Sequence, residues 1–147
     1  MDESQFLVSL KPYLEAFTER SLDRRLSLLA QGLTPDAEVW GPKRVFAGYA
    51  EISEKIEGFH RNWPDCRLVM SSGVVSFSNA GHFAKAIVSQ TGAVLAYGHS
   101  VAELAPDGRI RRVLAFWGAP SPLPQSWPSH LSAPLATGGA VSNRGDR

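Results

Sequence analysis

The stretch from Cys66 to Gly118 restricts this chain most, because four extended runs follow one another there with only tight-turn chemistry between them. The runs "CRLVMSSGVVSFS", "GHFAKAIVSQ", "AVLAYGHSVAEL" and "RIRRVLAFWG" are separated by Asn79-Ala80-Gly81, Thr91-Gly92 and Pro106-Asp107-Gly108. Connections this short join antiparallel neighbours and leave no room for a parallel crossover, so this half of the chain is predicted to be an antiparallel meander.

Three helices are predicted ahead of it. Phe6, Leu7, Leu10, Tyr13, Leu14 and Phe17 recur at helical spacing, with Pro12 expected to kink the helix or to move its start to about Lys11. A second helix runs from an N-cap at Ser21 through Leu22, Leu26 and Leu29, with Arg24 and Arg25 on its charged face and Gly32 as the left-handed residue past its end. A third follows Gly48, with Ile52, Ile56, Phe59 and Trp63 along one side and Pro64 as its stop. Between the second and third, "DAEVWGPKRVFAG" reads as two short extended pieces bent around Gly41-Pro42. Helices gathered ahead of one antiparallel sheet imply an α+β domain with helices on one sheet face.

Turn lengths give a register. A three-residue Pro106-Asp107-Gly108 loop sets Leu104 opposite Ile110, Glu103 opposite Arg111, Ser100 opposite Leu114 and Gly98 opposite Phe116. A two-residue Thr91-Gly92 loop sets Lys85 opposite Gly98 and Phe83 opposite Ser100. Alternation then puts Phe83, Lys85, Ile87, Gly98, Ser100, Leu114 and Phe116 on the inner face. The outer face receives His82, Tyr97, His99, Val101, Val113 and Trp117. Both faces are substantially apolar, and a sheet covered by helices on one side needs a second cover, for which a symmetric homodimer partner is the simplest candidate.

Composition bounds the function. The chain has 147 residues, 44% apolar and 20% charged, which suits one globular domain over residues 1–118. Residues 119–147 hold five of the ten prolines and no apolar rhythm, and are expected to form a flexible tail whose Trp127 could pin it to the body. The tail's Arg144-Gly145-Asp146 is read as a coincidental match to an adhesion tripeptide. Fifteen basic residues against fourteen acidic, with the basic pairs scattered, argue against a nucleic-acid partner. A single cysteine, Cys66, excludes an internal disulfide or a cysteine zinc cluster. No phosphate-binding glycine loop or metal-ligand spacing appears, so neither cofactor nor metal is expected. No apolar run approaches a membrane span and the N-terminus lacks a signal-peptide pattern, so a cytoplasmic protein with no membrane partner is expected.

The order of elements, with "YLEAF", "VWGP", "FAG" leading into "EISEKIEGF", and "GHSVAELAPDGRI" running into "VLAFWG", resembles the nuclear transport factor two-like superfamily, in particular its SnoaL-like small bacterial members, over about Phe6 to Gly118. That resemblance implies a cone: a curved antiparallel sheet, mixed at its edge, wrapped around three N-terminal helices, with a pocket between the helices and the concave face. The superfamily holds isomerases, cyclases, dehydratases, epoxide hydrolases and non-catalytic binding proteins, so the resemblance implies an architecture more than a reaction. Where such relatives commonly carry a glycine, a variable residue and a cavity-facing aspartate, this chain has Gly98, His99 and Ser100. The proton-carrying acid is replaced by a hydroxyl with no histidine on its face to activate it, so Ser100 is read as a hydrogen-bonding group at the top of a pocket.

The ligand-binding set expected on this basis is Tyr13, Trp40, Phe59, Trp63, Lys85, Ser100 and Phe116, lining a broad apolar pocket for a small, mainly apolar molecule. Tyr13 is the favoured polar contact, because a buried phenol seeks a partner. Lys85 could meet an anion or move a proton, but its stem is expected to cross apolar surface and deliver the ammonium to solvent at the rim. His99 and Tyr97 are expected to look outward, toward the dimer face. An isomerase-, cyclase- or dehydratase-like enzyme, with Tyr13 or Ser100 on a developing oxyanion and Glu38, Lys85 or His99 as base, is the alternative reading. A non-catalytic dimeric assembly module is the third.

Overall fold

The computed structural model describes residues 2–134. Helix α1 (Glu3–Ala16) and helix α2 (Leu22–Gly32) come first, then strand β1 (Leu33–Trp40) and the short β2 (Val45–Ala47), followed by α3 (Gly48–Asn62). Strands β3 (Arg67–Met70), β4 (Val75–Phe77), β5 (Ala80–Val88), β6 (Val94–Leu104) and β7 (Ile110–Trp117) complete the domain. The sheet order is β2-β1-β7-β6-β5-β3, with β4 also pairing β5. All pairings are antiparallel except β1 with β7, which makes the sheet mixed toward one edge. Three helices against a curved, unclosed sheet make the α+β cone that the resemblance implies.

Local chemistry explains the helix boundaries. Asp2 caps α1 through the Gln5 amide while the Gln5 side chain returns to the Asp2 amide, a reciprocal capping box. Pro12 lies inside α1, which begins at Glu3, so of the two expected outcomes the later start near Lys11 does not hold. The carbonyl that loses its partner belongs to Val8, a residue that is 74% exposed, so water can replace the missing amide. Gly32 is not the left-handed cap expected of it but the last residue of α2, and its Cβ would stand 2.6 Å from the Ser9 carbonyl oxygen. A missing side chain there lets α1 and α2 approach closely. The His60 ring Nε2–H donates to the Phe17 carbonyl at 2.6 Å, tying the end of α1 to α3.

Arg25 is also placed differently from its predicted charged face. It is buried, donating from Nε to the Glu19 carbonyl at 3.1 Å and from Nη1 to Ser53 Oγ at 3.0 Å and Glu57 at 2.5 Å. One guanidinium thereby fastens α2 to α3. The apolar core around it joins Phe6, Leu10 and Phe17 of the first helix region to Ile52 and Ile56 of α3 and to Phe83, Leu104 and Ile110 of the sheet.

Two irregularities decide the sheet register. The loop after β5 is longer than two residues, since the Ser89 amide bonds the Ala93 carbonyl, and Leu95 is left unpaired between Val88↔Val94 and Ile87↔Ala96. The extra loop residue and the bulge cancel, so Lys85 does lie opposite Gly98 and Phe83 opposite Ser100. Nothing cancels the second irregularity. Leu104 pairs with Ile110 as expected, but Glu103 pairs with Arg112, leaving Arg111 as a bulge. Every later residue of β7 is displaced by one, and a shift of one exchanges the two faces. Gly98 therefore faces Trp117 and Ser100 faces Ala115. Phe116 and Leu114, expected inside, lie on the outer face, while Val113 and Trp117, expected outside, point inward, Val113 into the core.

The run predicted as one strand from Cys66 is broken into β3 and β4, both on β5. Its break is held by α1, where the Glu3 carboxylate accepts from the Val74 amide at 2.7 Å. Gly81, expected in a turn, sits inside β5, where Phe6 and Val74 occupy the space a Cβ would need. Beyond Gly118, residues 119–134 are exposed and contain a hydrogen-bonded turn closed by the Trp127 amide on the Pro124 carbonyl and a short 3-10 helix at Ser129–Leu131. Trp127 donates to the Leu131 carbonyl within that segment instead of reaching back to the body. The rest of the expected tail, including Arg144-Gly145-Asp146, lies outside the described residues. Among the described residues no helix is long and apolar enough to cross a membrane.

Candidate functional site

A cleft of about 450 Å³ opens between the end of α1, α3, the β1–β2 hairpin and the concave sheet face. Tyr13, Phe59, Trp63 and Lys85 of the expected set line it. Trp40, Ser100 and Phe116 do not. Trp40 sits on the outer side, its indole bonded to Glu38 at 2.9 Å and the Arg112 guanidinium 5.5 Å from its ring centroid. Phe116 is stacked on His99, ring centroids 5.4 Å apart, also on the outer face. Ser100 points inward as strand parity requires and is buried, but it does not line the cleft.

Lys85 departs from its expected place at the rim. It is only 5% exposed, and its ammonium lies 4.1 Å from the centroid of the Trp117 ring. The contact depends on Gly98, directly across the strand pair, where a Cβ would meet the Phe116 carbonyl oxygen at 2.2 Å, the Trp117 ring at 2.7 Å and Lys85 Cε at 3.1 Å. The glycine lets two long side chains share one strip of the inner sheet face. Burial, followed by the neighbouring positive charge of Lys55, pushes the Lys85 pKa down to about 7. Lys55, on α3, is itself lowered by burial, and its ammonium lies 5.2 Å from the Phe46 ring centroid.

Lys55 was not singled out by sequence. The signal was its spacing: it stands three residues after Ile52 and four before Phe59, on the edge of the apolar stripe of α3. Arg44, beside it, stacks at 4.1 Å on the same Phe46 ring and bonds Glu51 at 3.2 Å. Lys55 and Lys85 enter no ion pair among the described residues.

The aromatic wall is continuous. Tyr13 meets Phe17 edge-on at 5.3 Å and Phe17 meets Phe59 edge-on at 5.5 Å. The Tyr13 hydroxyl has no hydrogen-bond partner among the described residues, and burial pushes its pKa up, so Tyr13 brings a neutral phenol to the lining of the site. Of the other bases considered, Glu38 is bonded to Trp40 on the outer side. His99 meets His82 edge-on at 5.5 Å, also outside. Neither reaches the cleft. The site thus offers an amine that can exchange a proton near neutral pH, a neutral phenol and a broad apolar wall.

Comparison with solved structures agrees with this geometry. A proposed isomerase of the SnoaL-like family from Agrobacterium tumefaciens str. C58 is similar at 27% identity over 79% of this chain and 99% of that one, with a TM-score of 0.71. An NTF2-like protein from Exiguobacterium sp. 255-15 (15% identity, 75% and 98% covered, TM-score 0.60) and a proposed SnoaL-like polyketide cyclase from Jannaschia sp. CCS1 (12%, 78% and 86%, TM-score 0.61) share the fold. No family model matches the chain, and no curated protein matches it. With its three helices against a mixed, curved sheet, the chain has the cone fold of the nuclear transport factor two-like superfamily and is similar to its SnoaL-like members.

Proposed function

We propose that the cleft binds a small organic molecule, with its apolar body against Phe59, Trp63 and Trp117 and its polar end toward Lys85. The observation that carries this reading is the cleft itself: about 450 Å³ of space walled by aromatic rings, with a few polar groups converging on it. That size and lining are usual for small-molecule sites. A domain that used its interior only for stability would fill this space with side chains. Native mass spectrometry of freshly purified protein tests the proposal. A mass increment of a few hundred daltons or less, lost on acid unfolding, is the expected result; apo protein that also shows no thermal shift across a panel of small aromatic compounds would overturn it.

A second reading is favoured by one observation. An amine whose pKa is held near 7 inside an apolar cleft can act as a general base at neutral pH. In that reading Lys85 removes a proton next to a carbonyl while the neutral Tyr13 hydroxyl donates to the developing oxyanion, the chemistry of an isomerase or cyclase. Proton exchange at a carbon next to the carbonyl of a bound ketone, followed in deuterated water and abolished by Lys85→Met, distinguishes turnover from passive capture.

We further propose that the outer sheet face is covered by a second copy of the chain. Tyr97 is 64% exposed, Phe116 49% and Trp40 42%, and with Val101 they form one apolar expanse on that face. Contiguous apolar surface of this kind is uncommon on a monomer. Of the residues first expected in such an interface, Tyr97, His99 and Val101 remain on this face; Phe116 takes the place of Val113 and Trp117.

A further inference from the structure

Resting on the small-molecule reading, we propose that the cleft selects a carboxylate-bearing molecule with an aromatic or apolar body, its anionic head held between the ammonium groups of Lys55 and Lys85. The charge count of the lining leads to this class. Four cationic side chains, Arg44, Lys55, Arg61 and Lys85, reach the cleft, against one carboxylate, Glu54, which is exposed. Arg44 is balanced by Glu51. The two lysines are balanced by nothing among the described residues beyond the faces of Phe46 and Trp117.

Two like charges drawn out of water beside each other, with no counterion, destabilise a fold unless something else requires them. An anion entering from the open side answers both at once, because each ammonium keeps free N–H donors and the low-dielectric walls strengthen the attraction. A metal cation would be repelled. The surrounding rings disfavour a ligand that is polar throughout, since its remaining hydroxyls would face Phe59 and Trp63 without partners. After burial, the positive charge of Lys55 is the second cause that lowers the Lys85 pKa, so an anion seated against both ammonium groups favours the charged form of each.

The test uses the full chain and matched pairs of probes: phenylacetate, cinnamate and 2-naphthoate, each against its own neutral amide, titrated by tryptophan fluorescence and by calorimetry at about pH 6. At least one acid is expected to bind roughly tenfold or more tightly than its amide, as for other buried charge pairs. That preference should disappear in Lys85→Met, shrink in Lys55→Met, and weaken as pH rises through about 7 and Lys85 loses its charge. Amides that bind as well as the acids would overturn the anion selectivity while leaving the small-molecule reading in place. Failure of every acid and every amide to bind would overturn both. If Lys85→Met does not fold, Lys55→Met decides, and an undiminished preference for the acid in that variant overturns the proposal.

Discussion

The Lys85 ammonium sits 4.1 Å from the centre of the Trp117 ring, a cation held by a π-face where a carboxylate would be the ordinary partner. An aromatic face compensates only part of the lost hydration, and this shows in the lowered pKa. The folded-state value of about 7 lies below the unfolded value of 10.5, so between them the unfolded chain binds the extra proton. Stability therefore rises with pH across that window, and the cost of the charged lysine is fully present below about 7. Lys85→Met is expected to stabilise the fold by a few kcal/mol at about pH 6, each pKa unit being worth about 1.4 kcal/mol, with the gain vanishing toward pH 10. Urea midpoints at the two pH values measure this. A gain independent of pH would show that methionine acts by packing alone.

Gly98 makes the Lys85–Trp117 contact possible, and its replacement should be felt in the cleft before it is felt anywhere else. A Cβ there collides with backbone at the Phe116 carbonyl, which has no flexible end to swing away. Gly98→Ala is expected to cost about 2–4 kcal/mol, at or above the usual range for an overpacked interior site. It should also expel Trp117 from its position over the ammonium, seen as a shift in tryptophan emission. A variant as stable as the parent with unchanged emission would mean that β6 and β7 separate at that point more easily than their pairing suggests.

Most of the architecture was legible because it rests on short-range signals: helical spacing from Phe6 to Phe17, and Pro64 closing the third helix. Strand parity was legible only where errors cancelled. A two-residue Thr91-Gly92 loop is one residue shorter than the loop that forms, yet it still sets Lys85 opposite Gly98, because the bulge at Leu95 restores the register. Past Arg111 nothing restored it, and Phe116 and Trp117 exchanged faces. A signal for that bulge stood in the sequence as two adjacent arginines. Both reach Glu103, Arg111 at 3.1 Å and Arg112 at 3.2 Å, and alternating strand residues could not both do so without an irregularity between them. The burial of Lys85 was not legible, because whether a long amine reaches solvent depends on how the opposite helix closes over it.

Arg25 and Glu57 form an ion pair with unequal partners, the guanidinium buried and the carboxylate about half exposed. The Arg25 hydrogen bond and charge hold the Glu57 carboxyl below its usual range. Its contribution is present above the ordinary value of 4.5 and is lost as pH falls through the lowered folded-state value. Glu57→Gln should cost about 1 kcal/mol or less at neutral pH, because solvent screens the exposed carboxylate and Arg25 retains Ser53 and the Glu19 carbonyl. Arg25→Ala should cost about 3 kcal/mol, since it empties a fully packed position between α2 and α3. Chemical denaturation of both variants at neutral pH measures the asymmetry, and equal costs would contradict it.

The bulge at Arg111 also separates the roles of two adjacent aromatics. Phe116, stacked on His99, belongs to the face proposed to meet a second copy, whereas Trp117 belongs to the cleft. Phe116→Asp would place a charge in an apolar contact between copies, where it lacks a partner, and is expected to convert the dimer to monomer without lowering the thermal stability of the isolated fold by much. Trp117→Ala should leave the dimer intact and change ligand binding. Sedimentation velocity at micromolar concentrations reads both outcomes. Loss of the dimer in Trp117→Ala with its retention in Phe116→Asp would restore the face assignment expected from unbroken strand alternation, and a monomeric parent protein at those concentrations would remove the proposed interface altogether.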